Sequence, residues 1–309
     1  MSLTPPREDR FSTTEREEVE VNEEEREARV TRTIRDRRIY NTVDLVGWYP
    51  LTRNLRVEGS LGYTRITLER VEERLARESD GGFILSESRT VRPVNPLNLF
   101  RTPAAFVGDY ADWGYTGPLR GRRFRIEGEP TFGTAQYLTA TADYRENFYF
   151  WPITLAARAY HRGRYFPAGR TDLLSPLSLG FPTLVRGYEP WSFADADDSA
   201  YESSRGTRLL AVNIELRAPL FGSGIGVFAT QPFPLTLLLF FDGGTAWLDG
   251  AYPSWQLQTP AKRRVPLTSA GAALRLNLGN VIFLEVYWAY PFQRRRGESV
   301  TAFQFRTGF

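Results

Sequence analysis

"SAGAALRLNLGNVIFLEVYWAYPF", residues 269–292, reads as two alternating strands around Gly279-Asn280. Ala270, Ala272, Leu274, Leu276 and Leu278 alternate with Gly271, Ala273, Arg275 and Asn277. After the turn, Ile282, Leu284, Val286, Trp288 and Tyr290 alternate with Phe283, Glu285 and Tyr287. Successive side chains of a strand point to opposite faces, so a period of two assigns strand and gives each face its chemistry. One face here is apolar; the other carries charge, amide and glycine.

The same period recurs on both sides of this hairpin. Leu210, Val212, Ile214 and Leu216 alternate with Ala211, Asn213, Glu215 and Arg217; Leu138, Ala140, Ala142 and Tyr144 alternate with Thr139, Thr141, Asp143 and Arg145. At the C-terminus Phe303, Phe305, Thr307 and Phe309 alternate with Gln304, Arg306 and Gly308. Strands are expected near 39–49, 54–67, 102–113, 121–132, 135–148, 152–164, 206–218, 235–247, 267–278, 281–291 and 300–309. That makes about eleven, and a twelfth would lie in the N-terminal stretch if the usual even number holds. Residues 1–36 are dense in Glu and Arg. They read as a charged arm or linker with one possible strand near Val19–Val21, or a surface helix over 23–38. Residues 37–309 read as one barrel.

A soluble sandwich also alternates. Two features favour a barrel that crosses a membrane. The strands run about ten residues or more, a length suited to a tilted membrane strand. Aromatics gather at strand ends, at Trp48-Tyr49, Tyr110 and Trp113, 148–151, Trp247, and Trp288 and Tyr290, where an interfacial girdle sits. Connections are short at 50–54, 149–152 and 279–280 and long at 69–100, 165–206 and 248–266, the asymmetry of periplasmic turns and external loops. No apolar run reaches the ~20 residues of a membrane helix, and the N-terminus lacks the apolar core of a signal peptide.

Composition narrows the function classes. The 309 residues contain no cysteine, one histidine (His161) and one lysine (Lys262), with a net charge of +3. Disulfides and thiolate metal sites are excluded, and no whole-molecule nucleic-acid footprint is present. His161 alone cannot build a histidine metal cluster. Catalysis would have to use His161 with Asp143 or a loop acid, and no G-x-S-x-G elbow is present, Gly222-Ser223-Gly224 being a turn signal. The chain is therefore read as a non-enzyme with no cofactor and no metal. Asp195–Asp198 could hold calcium but lacks the spacing and glycine of a calcium loop. Arg294–Arg296 could meet lipopolysaccharide phosphates, or be a solvated turn.

In "TLVRGYEPW", residues 183–191, Arg186 stands inside the long 165–206 connection. If that connection is external, Arg186 can fold back into the lumen. There the polar phases of the next two strands hold Glu215 and Asp242, and a planar guanidinium suits paired carboxylates. Gly187 would let the backbone turn beside it. The expectation is a loop pinned by Arg186, Glu215 and Asp242; the alternative is that all three are solvated.

The ordered segments "LSLGFPTLVRGYEPWSF", "LLAVNIELRAPLFG", "LLLFFDGGTAW" and "SAGAALRLNLGNVIFLEVYWAYPF", followed by a terminal Phe309, resemble the BamA/TamA outer-membrane assembly superfamily, the bacterial surface antigen β-barrel domain. Val185-Arg186-Gly187-Tyr188 resembles the tip motif of its sixth extracellular loop. Phe240 to Gly244 resembles its F-x-D-x-G strand motif, and "YTGPLRGRRFR", 115–125, resembles a periplasmic turn before a strand. Phe303, Phe305 and Phe309 resemble its C-terminal signal strand. The resemblance spans roughly 37–309. It implies an all-β, antiparallel transmembrane barrel in the bacterial outer membrane, with a long extracellular loop folded into the lumen. It also implies that Arg186 engages Asp242 and Glu215. The implied function is insertion or translocation of outer-membrane or secreted proteins through a weak seam at the last strand; a non-transporting anchor or scaffold subunit is the alternative. Implied partners are outer-membrane lipid and lipopolysaccharide, unfolded outer-membrane protein clients, or a partner subunit supplying strands. The family barrel has sixteen strands and upstream POTRA modules, whereas about twelve strands are read here. A C-terminal portion of a longer or split protein is therefore expected, or a reduced barrel.

Overall fold

A computed structural model describes residues 2–21, 27–78, 84–114, 117–167, 174–189, 204–221, 234–248, 266–278, 282–294 and 299–307. Its strands are β1 (Ser2–Val21), β2 (Glu27–Pro50), β3 (Leu55–Glu78), β4 (Ile84–Arg101), β5 (Ala104–Asp109), β6 (Asp112–Gly114), β7 (Gly117–Gly133) and β8 (Tyr137–Phe150). They continue with β9 (Ile153–Tyr165), β10 (Leu177–Ser178), β11 (Arg205–Gly206), β12 (Arg208–Phe221), β13 (Leu235–Trp247), β14 (Leu267–Leu278), β15 (Ile282–Pro291) and β16 (Val300–Thr307). Twelve of these, β1–β4, β7–β9 and β12–β16, are the long rungs of an antiparallel sheet.

The chain divides into two compact units. The first comprises Met1–Gly47, Gly59–Thr102 and Pro130–Gln136. Within it β1 pairs with β2 from Ser2↔Asp44 to Val21↔Glu27, β3 with β4 from Gly62↔Arg101 to Arg77↔Ile84, and β4 with the end of β7 at Leu99↔Gly133. The second comprises Trp48–Glu58, Pro103–Glu129 and Tyr137–Phe309. There β5 and β6 lie along β7, and the order β8-β9-β12-β13-β14-β15-β16 is a meander of nearest neighbours.

Three expectations change. The surface helix over 23–38 is not formed in its described part; from Glu27 this backbone belongs to β2 and pairs with β1. The sequence there is rich in β-branched residues (Val30, Thr31, Thr33, Ile34 and Ile39), which favour extended backbone. That preference, with a ladder partner for the backbone, outweighs the helical bias of the Glu and Arg blocks. The long connection expected over 69–100 is mostly strand, because β3 continues to Glu78 and β4 begins at Ile84. The strand expected over 102–113 is broken into β5 and β6. Pro103, with no N–H to give a ladder, separates β4 from β5, and at the break between β5 and β6 Ala111 donates its N–H to Asp109 Oδ1.

Burial in the second unit follows the period of two and inverts that of a soluble sheet. On β13, Thr236, Leu238, Phe240 and Asp242 are buried while Leu239 and Phe241 are exposed. On β15, Phe283, Glu285, Tyr287 and Ala289 are buried while Val286, Trp288 and Tyr290 are exposed. On β12, Val212, Ile214 and Leu216 stand outward. Leaving a large apolar side chain in water forgoes roughly 1.5–3 kcal/mol each. A whole face of them, with carboxylates and guanidiniums on the other, is stable only where hydrocarbon is the outer solvent. Trp48 and Tyr49 before one turn, and Trp151 in the two-residue turn between β8 and β9, are among the most exposed side chains, as an interfacial girdle requires.

Candidate functional site: the Arg186 charge cluster

After β9 the chain leaves the sheet and returns as residues 174–189. β10 pairs with β11 at Leu177↔Gly206, and Leu179 N–H donates to the Ser204 carbonyl at 2.8 Å, which fastens the base of the excursion. A tight turn follows, with the N–H groups of Leu184 and Val185 both donating to the Phe181 carbonyl. Leu179, Val185 and Tyr188 are wholly buried against Leu209 and Ala211 of β12, Ala246 of β13 and Leu267 of β14. These apolar anchors seat the segment on the buried face and set the direction of the residue between them.

That residue is Arg186, 2% exposed. Its Nε donates to Asp242 Oδ2 at 2.7 Å and its Nη2 to Asp242 Oδ1 at 2.9 Å, a bidentate fork. Nη2 also lies 3.0 Å from Glu215 Oε1, and Nη1 donates to Glu285 Oε1 at 3.3 Å. The guanidinium carbon sits 3.7 Å from the Phe240 ring centre, a cation–π contact strengthened by desolvation. Burial works against the charge, but the Asp242 hydrogen bonds and the fields of Glu215, Asp242 and Glu285 outweigh it and raise the Arg186 pKa.

The cluster extends beyond the residues expected from sequence. Arg275 donates to Glu285 Oε2 through Nε at 2.9 Å and Nη2 at 2.6 Å. Arg217 donates from Nε to Glu215 Oε2 at 2.9 Å. Asn213 Nδ2 donates to Asp242 Oδ1 and to the Leu184 carbonyl, each at 2.8 Å, so it ties β13 to the seated segment. Three guanidiniums (Arg186, Arg217, Arg275) thus meet three carboxylates (Glu215, Asp242, Glu285). A buried ion without a partner costs several kcal/mol, and the matched count is what lets so many charges share a largely buried site. Glu285 and Arg275 had a readable signal. Both lie on the polar phase of their strands, and the antiparallel register sets them directly opposite.

Gly187 has φ of +86°, and a Cβ there would stand 3.2 Å from Ala289 Cβ. Only glycine takes that backbone without strain. Tyr188 is wholly buried; its hydroxyl donates to the Thr268 carbonyl at 3.1 Å and lies 2.9 Å from Gln293 Oε1. Burial raises its pKa. On β16, Phe303 and Phe305 point outward with 66% and 62% exposure. Between them Gln304 faces the other way, and its Nε2 donates to Glu285 Oε1 at 2.7 Å. The last strand is therefore joined to the charge cluster. Phe309, Gly308, Asp195–Asp198, Arg295, Arg296 and Gly222-Ser223-Gly224 lie outside the described residues.

His161 is not brought to this cluster. Its Nδ1 lies 2.9 Å from the Leu209 carbonyl and its Nε2 3.0 Å from the Tyr165 hydroxyl, and its ring stacks on Trp247. In the β8–β9 register His161 faces Ala142 and Asp143 faces Tyr160, so His161 and Asp143 point to opposite faces. Asp143 instead accepts from Arg145 and Arg158.

A family model, the Omp85 superfamily domain, matches residues 18–309. No curated protein matches the chain by sequence. Among solved structures, the crystal structure of BamA from Haemophilus ducreyi lacking POTRA domains 1-3 is similar at 15% identity and a TM-score of 0.57, covering 97% of this chain and 61% of that one. The chain thus spans about three fifths of that structure's length. CdiB from Acinetobacter baumannii is similar at 13% identity and a TM-score of 0.42, covering 91% of this chain and 50% of that one.

Proposed function

The chain belongs to the Omp85 superfamily and is an integral outer-membrane β-barrel, and from that premise we propose that it inserts or translocates outer-membrane or secreted proteins. The observation that carries this reading is the connection between the seated segment and the last strand. Arg186 and Gln304 both donate to Glu285, so a change at β16 is felt by the carboxylate that helps hold the segment. An edge strand with unpaired backbone groups templates an incoming strand. The β16 edge is proposed as that template, with unfolded outer-membrane proteins as clients. In this reading Arg186, Gly187, Tyr188, Glu215 and Asp242 pin the segment in the lumen and do no chemistry, and Phe303 and Phe305 address β16 to lipid. Outer-membrane lipid and lipopolysaccharide are the surroundings proposed for the outward face.

The test is reconstitution into liposomes with an unfolded outer-membrane protein supplied from outside. Acceleration of client folding over empty liposomes supports the proposal. Folding no faster than in empty liposomes, together with a co-purifying partner subunit, would instead assign an anchor or scaffold.

A further inference from the structure

Beneath the seated segment lies a cavity of about 380 Å³, bounded by Pro182 and Thr183 above and by strands β7, β8, β9, β12, β14 and β15 around it. Its volume is within the range of small-molecule sites, about 300–1,000 Å³. Its lining is unbalanced in charge. Arg123, Arg145, Arg158, Arg186, Arg217 and Arg275 all contribute to the wall, and among the described residues Glu215 is its one carboxylate. Of the acids that accompany these arginines two sit behind the wall, and Arg123 pairs with Asp109 at 3.0 Å. Asp242 and Glu285 are fully buried and do not line the cavity. Asp143 accepts from both Arg145 and Arg158, so one carboxylate serves two cations on that side.

We infer that this cavity is a binding site for a small oxyanion of the phosphate or carboxylate class. Guanidinium carries five donors and no acceptor, and its planar fork matches either oxyanion with two parallel hydrogen bonds. Several forks held on different strands meet at one space. Arg158 is oriented by Asp143 and by the Thr183 carbonyl at 2.9 Å, and Arg217 by Glu215 and the Pro118 carbonyl. The N–H groups not used in these bonds are held in place by them and need little reordering when a ligand enters, which is the main saving in binding. Asn147 and Asn213 add amide groups to the same lining. The Arg158–Thr183 contact also makes the cavity's roof part of the segment that Arg186 holds.

The test is calorimetric titration of the folded full chain in a zwitterionic detergent with pyrophosphate and, separately, with citrate; sodium chloride of equal ionic strength is the control. One saturable site for at least one oxyanion is expected, absent with chloride. It should weaken at least tenfold in the Arg145→Gln, Arg158→Gln double variant and remain unchanged in Arg120→Gln, whose side chain is on the exposed β7 rim beside Asp112. Tighter binding of pyrophosphate or of citrate separates the phosphate source from the carboxylate source. If the double variant does not fold, Arg145→Lys with Arg158→Lys keeps the charge and removes the forks, and the same tenfold loss is expected. No saturable heat with either oxyanion, or equal affinity in wild type and variants, overturns the inference. The readout is binding alone, so its failure leaves the transport proposal standing, and the reverse holds too.

Discussion

Asp242 accepts three hydrogen bonds from Arg186: from the backbone N–H at 3.1 Å and from Nε at 2.7 Å, both at Oδ2, and from Nη2 at 2.9 Å at Oδ1. One carboxylate on β13 therefore fixes both the main chain and the side chain of a residue in the excursion between β9 and β12. Replacing Arg186 by Ala leaves Asp242, Glu215 and Glu285 buried with one cation fewer. Breaking a buried pair in this way costs about 3–5 kcal/mol. Heat-modifiable gel mobility should shift to lower temperature, and protease should cut within 174–189 faster than in wild type. Arg186→Lys keeps the charge but not the fork and should fall between the two.

Glu285 connects two regions. It accepts from Arg186, Arg275 and Gln304, and Glu285→Ala removes the acceptor of all three. The amides of β15 and β16 should then exchange hydrogen faster, by roughly tenfold or more for a local loss of about 1.5–3 kcal/mol. Gln304→Ala should accelerate exchange in β16 and, to a smaller extent, at Arg186, because both side chains donate to Glu285 Oε1.

Gly187→Ala forces a methyl into a left-handed backbone position, 3.2 Å from Ala289 Cβ. A destabilisation of about 1–3 kcal/mol is expected, read as a lower midpoint in urea-dependent unfolding from liposomes. The Ala289→Gly variant relieves the contact but not the backbone strain, so the double variant should recover part of the loss.

The outward face answers to lipid depth. Leu239 and Phe241 on β13 are exposed next to buried Phe240 and Asp242. Leu239→Arg should disfavour folding into bilayers by about 2–4 kcal/mol if it lies near the midplane, and Trp48→Arg near the turn by far less. Folding yield against lipid concentration measures both.

Much of this was readable from period and phase. The outward sets on β12, β14, β15 and β16 are those that alternation assigns, because a membrane strand has one solvent per face and its chemistry repeats every second residue. Arg186, Glu215 and Asp242 could be picked out because both acids lie on the polar phase of their strands and the motifs around Arg186 and Asp242 resemble those of the family. Glu285 has the same phase and a readable partner in Arg275, but its contact with Arg186 was not readable. Its link to Arg186 spans 99 positions, and only the folded excursion brings the two together. The N-terminal strands were hidden for a different reason. Runs of Glu and Arg over 1–36 and 69–78 mask the period of two, and charge density there reads as solvated coil or helix. The backbone ladder, not the side-chain pattern, makes β1 and the outer half of β3 strands.

The most direct test of the account is amide hydrogen exchange across residues 174–189 in the folded, membrane-embedded protein, compared between wild type and Asp242→Asn. The account predicts slow exchange for Leu179, Val185 and Arg186 in wild type, since their N–H groups donate to Ser204, Phe181 and Asp242. It predicts exchange at least tenfold faster at Arg186 in the variant, where the charge-assisted acceptor is lost. Fast exchange across the segment in wild type, or rates unchanged by Asp242→Asn, would contradict it.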